Sequence, residues 1–132
     1  MAKFGTAINC MDGRVQLPVI NYLMEHFDVE WIDAITEPGP CRILAENTDV
    51  TLVQSILNRL AISVHKHGSV GIAIVGHYDC AGNPASKKDQ LKQIHQSIKL
   101  LEDYCDGLPV LGLWVDENWQ VENVTDELVK YI

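Results

Sequence analysis

The stretch Val70-Gly71-Ile72-Ala73-Ile74-Val75-Gly76-His77-Tyr78-Asp79-Cys80 decides the fold. Its apolar run 70 to 75 is continuous rather than alternating, the pattern of a strand buried on both faces of a sheet. Gly76 then lets the backbone turn, and a His-x-x-Cys pair follows at once. Upstream, the run Phe4 to Ile8 leads in the same way into Cys10-Met11-Asp12-Gly13-Arg14. Two strands each end on a metal-ligating side chain, and ligands of open α/β sheets gather at the carboxyl ends of strands. Cys10, His77 and Cys80 together make a two-sulfur, one-nitrogen set for Zn2+. Three protein ligands leave a fourth position free, the mark of a catalytic rather than a closed structural site.

Outward from these two strands, apolar periodicities of both kinds alternate. Residues 3 to 9 read as a buried strand. Leu17, Ile20, Leu23, Met24 and Phe27 fall at helical spacing, with Pro18 expected in the first turn. Residues 29 to 35 read as a strand that Glu37-Pro38-Gly39-Pro40 breaks. Asn47 or Thr48 is expected to cap a long helix carrying Val50, Val53, Ile56, Leu57, Leu60 and Val64 on one face until Gly68. Residues 87 to 104 repeat the helical pattern through Leu91, Ile94, Ile98 and Leu101. Residues 110 to 115 and 119 to 124 then read as a terminal hairpin around Asp116-Glu117-Asn118. The expected fold is α/β: a mostly parallel β-sheet flanked by helices, with a C-terminal antiparallel edge strand, in one domain over 1–132.

The 132 residues are 47% hydrophobic and 21% charged, an ordinary globular composition. A net charge of −8 disfavours a nucleic-acid partner. No apolar run reaches the ~20 residues of a membrane span, and the N-terminal residues lack a secretory pattern, so a cytoplasmic location is expected. In that compartment disulfides are not expected: Cys10 and Cys80 are expected to hold metal, and Cys41 and Cys105 to be small buried hydrophobes. A phosphatase loop fails on spacing, because Gln16 stands where an arginine would be needed. The stretch 82 to 88 lacks the Gly-Lys-Ser/Thr ending of a phosphate loop. His26 and His95 read as surface residues, and His65 and His67 as helix-end residues.

The chain resembles the β-class carbonic anhydrases. That family carries Cys-x-Asp-x-Arg after its first strand and His-x-x-Cys after a central one, matched here by Cys10, Asp12, Arg14, His77 and Cys80. Residues 72 to 77 and 111 to 116 are similar to the family's strands as well, so the likeness extends over most of 4 to 124. The resemblance implies reversible hydration of carbon dioxide to bicarbonate by zinc-bound hydroxide. Zinc lowers the pKa of bound water toward about 7. Asp12 would orient the nucleophile, and Arg14 would hold Asp12 away from the metal through a bidentate pair. If Arg14 lets go, Asp12 becomes a fourth ligand and closes the site. The resemblance also implies a homodimer or higher homo-oligomer with the pocket at its interface, where Tyr22, Tyr78 and the exposed-face residues of helix 48 to 66 are candidate polar groups.

The sequence departs from the family at two places. A loop usually like Arg-Asn-Ala-Gly-Asn is here Thr36-Glu37-Pro38-Gly39-Pro40, and Glu37 is expected to bring a negative charge toward an anionic product. Ala81 follows the second cysteine where glycine is usual. Two alternatives therefore stand beside the anhydrase reading: hydrolysis of carbonyl sulfide or carbon disulfide on the same scaffold, and a non-catalytic zinc-bearing binding or regulatory module.

Overall fold

The computed structural model describes residues 3–127. Its sheet has five strands, β1 (Phe4–Cys10), β2 (Trp31–Glu37), β3 (Ile72–His77), β4 (Val110–Val115) and β5 (Val121–Asn123), in the order β2-β1-β3-β4-β5. The first four are parallel, and β5 pairs antiparallel with β4. Successive residues of the central strands face opposite cores, which explains the continuous apolar runs of β3 and β4. Ile8, Ile72, Ile74 and Trp114 join one cluster, while Ala7, Ala73, Val75, Leu113 and Val115 join the other.

Helix α1 (Gly13–Phe27) covers the second face through Val15, Val19 and Leu23. The other face is covered by α2 (Pro40–Glu46), α3 (Val50–Ala61) and α4 (Lys87–Glu102). Parallel strands joined through helices on both faces give the expected α/β sandwich. The sheet is wound outward from its middle, since β1 leads to β2 on one side and β3 to β4 on the other. The crevice between the carboxyl ends of β1 and β3 is thus a topological switch point, the usual ligand position in such sheets.

Several local expectations are corrected. Helix α1 begins at Gly13, capped by Asp12, so Pro18 lies in its second turn rather than its first. Leu17 and Met24 are exposed, and the buried stripe runs through Val15, Val19 and Leu23 instead. Strand β2 runs two residues later than expected, and β5 is cut to three residues by a turn that includes Trp119. Pro38-Gly39 breaks the chain as expected, but Pro40 then opens α2, the first-turn position that proline's fixed φ suits. The cap of α3 is Asp49, whose carboxylate accepts from the Leu52 N–H at 3.1 Å, not Asn47 or Thr48. After Ala61 the helix widens into a π-turn over Ile62–Lys66. That turn directs Ser63 into a buried chain of hydroxyls with Thr6 and Ser69, anchored on Asp33. His95 is half-buried rather than at the surface. Among the described residues no helix is long and apolar enough to cross a membrane.

Candidate metal centre

Cys10 is the last residue of β1 and His77 the last of β3, which are neighbours in the sheet, so the strands themselves bring two candidate ligands together. Cys80 returns to them through the short turn after β3. The three ligand atoms lie within 4.8 Å of one another, and all three side chains are at most 5% exposed. The two sulfurs stand 3.8 Å apart and unbonded, and all four cysteines are free. Two ligands about 2.3 Å from a tetrahedral zinc would be separated by about 3.8 Å.

The imidazole is set for the same task. His77 Nδ1 lies 2.7 Å from the Tyr78 carbonyl, to which it can only donate, so the lone pair falls on Nε2. Nε2 is buried without a partner. A buried nitrogen with no hydrogen bond, facing two thiols, is an unsatisfied group that a metal ion would satisfy. The donor set therefore fits zinc.

The protonation of the cluster is cooperative. Hydrogen bonding from Cys80 lowers the Cys10 pKa against the effect of burial, helped by His77 and by the backbone N–H groups of Asp12 and Gly39. Cys80 is correspondingly pushed up, first by its bond to Cys10 and then by burial. Burial opposes the His77 imidazolium, but its contacts with Cys10 and Tyr78 outweigh this and raise its pKa. The metal-free cluster thus binds protons where it would otherwise bind a cation.

Asp12 and Arg14 stand at the rim. Asp12 Oδ1 accepts from the Arg14 backbone N–H at 2.9 Å and from Nε at 3.1 Å, while Oδ2 accepts from Nη2 at 2.7 Å. The guanidinium holds the Asp12 carboxyl down to about 2. The carboxylate oxygens are not part of the Cys10–His77–Cys80 cluster, so the structure holds Asp12 clamped by Arg14 rather than turned to the ligands. Arg14 also reaches Asp79, with Nη1 at 3.4 Å from Oδ2 and Nη2 at 3.2 Å from the carbonyl, and its Cζ lies 4.4 Å from the centroid of the Trp119 ring.

Other supports have no motif in the sequence. Gln90, buried in the first turn of α4, accepts from the His77 N–H at 3.2 Å and donates to the carbonyls of His77 and Ala85 at 3.0 and 3.1 Å. Gln16 donates to the carbonyls of Cys10 and Asp12 at 2.8 and 2.9 Å, which fixes the loop between them. The only sequence trace of Gln90 is a polar residue beside the apolar stripe of a helix.

The 36 to 40 loop corrects the expectation of a bare negative charge: Glu37 is ion-paired with Arg59 of α3. Its Gly39, at φ +69°, presses on the turn after β3. A Cβ there would lie 2.7 Å from Asn83 Cβ and 3.0 Å from the Gly82 carbonyl carbon. A Cβ on Gly82 would meet the Pro38 carbonyl carbon at 2.6 Å, whereas Ala81 is exposed. The demand for glycine thus falls on Gly82, and alanine at 81 is accommodated. Tyr78 is 48% exposed and makes no side-chain hydrogen bond among the described residues, while Tyr22 packs beside the second core cluster. Cys41 and Cys105 are buried as expected, and Cys41 donates to the Val75 carbonyl at 3.1 Å.

A family model described as "Putative carbonic anhydrase" matches residues 1–125. No curated protein sequence matches the chain. Among solved structures, β-carbonic anhydrase isoform I of Trichomonas vaginalis is 18% identical with a TM-score of 0.50, over 91% of this chain and 81% of that one. A carbonic anhydrase from Glaciozyma antarctica is 14% identical with a TM-score of 0.51, over 90% and 80%. A tetrameric β-carbonic anhydrase from Sordaria macrospora is 10% identical with a TM-score of 0.53, over 93% and 80%. At these identities the structures speak for the fold, and the family match spans nearly the whole chain. A strand-end cluster of two thiols and one imidazole on this sheet order thus has its place: the chain belongs to the carbonic anhydrase family and is built on the β-class fold.

Proposed function

We propose that the protein is a zinc-dependent carbonic anhydrase, a lyase that interconverts carbon dioxide and bicarbonate, with Cys10, His77 and Cys80 as metal ligands and Asp12 and Arg14 as the catalytic pair. The observation that carries this reading is the unpartnered Nε2 of His77 among two thiols spaced for one tetrahedral ion. Bound there, zinc supplies a water acidified to a pKa of about 7, a nucleophile at neutral pH.

The chain's own residues then provide orientation. Asp12, ionised throughout the physiological range because Arg14 holds its pKa to about 2, accepts a hydrogen bond from the nucleophile and so aims a lone pair at the carbon of carbon dioxide. It is too weak a base to carry away the released proton. Arg14 keeps both carboxylate oxygens engaged on one edge, and Gln16 fixes the backbone between Cys10 and Asp12. One C–O bond forms, one proton passes to solvent, and bicarbonate leaves. The pairing of Glu37 with Arg59 removes a charge that would oppose the anion.

We place this activity in the cytoplasm, where reducing conditions keep thiols available as ligands, and in a homodimer or larger assembly. Stopped-flow hydration of carbon dioxide by protein of measured zinc content tests the reading. Rates should scale with bound zinc, vanish on chelation and return with zinc, and exceed those with carbonyl sulfide and carbon disulfide. A zinc-replete protein without turnover would refute it.

A further inference from the structure

We propose that Trp119 and Asp79 are positioning residues that hold the Arg14 guanidinium in its clamping pose, and so keep the Asp12 carboxylate away from the Cys10–His77–Cys80 cluster. The inference rests on the proposed function, because it concerns which state of the rim the chain favours.

Arg14 is 46% exposed at its side chain, and an exposed ion pair holds a long side chain only weakly. Here the guanidinium has three partners at once. Nε and Nη2 serve Asp12, Nη1 and Nη2 meet the carboxylate and carbonyl of Asp79, and Cζ lies over the Trp119 indole, 4.4 Å from its centroid. A cation over an indole is the strongest of the aromatic pairings of this kind.

Backbone conformation supports the assignment independently. Five non-glycine residues among those described have positive φ. Asp28 and Asn47 cap helix C-termini, and Asp106 lies in the turn after α4. The remaining two, Asp79 at +57° and Trp119 at +59°, are the two residues that flank Arg14. A bulky residue in the left-handed region is an outlier that persists only where its surroundings hold it. The turn around Trp119 does so. Asp116 Oδ1 accepts from the N–H groups of Asn118 and Gln120 at 2.9 and 3.0 Å, and the Trp119 N–H donates to the Asp116 carbonyl at 2.9 Å. Trp119 also packs against the second core cluster, which does not by itself require an aromatic face, so exchange for an aliphatic side chain separates the two roles.

The test uses cobalt-substituted protein titrated with thiocyanate, which can enter only a coordination position that Asp12 does not hold; the visible absorption bands report binding. Trp119→Leu keeps apolar bulk but lacks a π face, and it should weaken thiocyanate binding about three- to tenfold as the clamped fraction falls. Trp119→Phe should stay within about twofold of the parent protein. Asp79→Ala should weaken binding in the same direction, and it serves if Trp119→Leu fails to fold. In an Asp12→Ala background none of these substitutions should matter. A parent-like affinity in both Trp119→Leu and Asp79→Ala would overturn the proposal, as would a loss that persists without Asp12. A parent protein silent to thiocyanate whose response appears in Asp12→Ala would overturn this inference alone, whereas an Asp12→Ala protein that takes up cobalt and still shows no response would overturn the proposed function, and this inference with it.

Discussion

Replacing Gly39 by Ala should damage the metal centre although position 39 supplies no ligand. The backbone at Gly39 is left-handed, with φ +69° and ψ +61°, which costs an L-residue about 1–2 kcal/mol. The added methyl would also stand 2.7 Å from Asn83 Cβ and 3.0–3.1 Å from the Gly82 carbonyl, neighbours that belong to or sit on backbone and cannot swing aside. Overpacking of this kind adds about 1–3 kcal/mol. The sum, roughly 2–5 kcal/mol, corresponds to a fall in Tm of about 7–18 °C for a chain of this size. The metal should suffer more specifically, because the clash pushes the 36 to 40 loop away from the turn carrying Cys80, and the Gly39 N–H away from the Cys10 sulfur. Chelator competition should show zinc affinity reduced by at least about tenfold, the scale of a lost supporting contact. Differential scanning calorimetry of apo and zinc-loaded protein would separate the two losses. An unchanged Tm together with unchanged zinc affinity would refute the argument that the two loops are in hard contact.

Cys80→Ser should abolish stoichiometric zinc binding, measured by metal analysis after dialysis, and retention of one zinc per chain would show the ligands to be misassigned. Zinc affinity should fall as pH falls through the neutral range. The raised pKa of Cys80 means that it holds its proton in the metal-free cluster, so zinc must displace at least that one, and the logarithm of affinity should rise with a slope of about one or more per pH unit; a flat profile would contradict this. Asp12→Ala and Arg14→Ala should each lower the hydration rate by orders of magnitude with zinc retained, and in a double-mutant cycle the losses should be strongly non-additive; additive losses would mean that the two do not work as one device. If the pocket needs a second copy of the chain, dilution should reduce oligomer and activity together, and a fully active monomer in sedimentation would exclude that need.

The sequence made legible whatever depends on a residue's immediate neighbours. Strands β1, β3 and β4 are buried on both faces, so their sequences are apolar enough to announce themselves, with Thr6 and Asn9 the buried polar exceptions in β1. Edge strand β2 has only Ile35 buried, and its limits come from pairing with β1, Phe4 to Trp31 through Cys10 to Glu37, rather than from its own pattern. Helix α2 was hidden because Pro38-Gly39-Pro40 both ends one element and starts the next. At the site the candidate ligands Cys10, His77 and Cys80 could be picked out because chemistry restricts metal-binding side chains to a few residue types, and the fold brings these three together. Gln90, Arg59 and Trp119 could not, since each acts on a residue that is remote in sequence but brought close by the fold, and no periodicity records such a contact.

The altered 36 to 40 loop shows how a site can tolerate change in side chains while depending on main chain. What the loop gives the cluster is an N–H toward Cys10 and a surface flat enough for the Cys80 turn to rest on, and both come from backbone. Neither contribution needs a particular side chain at 36, 37, 38 or 40, provided position 39 is glycine. Glu37 is then free to vary, on the condition that its charge is answered, and Arg59, 22 residues away on α3, answers it. The condition has a mechanical consequence. Glu37 ends β2 directly beside Cys10, so the ion pair ties α3 to the rim of the cluster. A charge that would stand bare at the edge of the site when considered alone becomes, with its partner, a strut between helix and site.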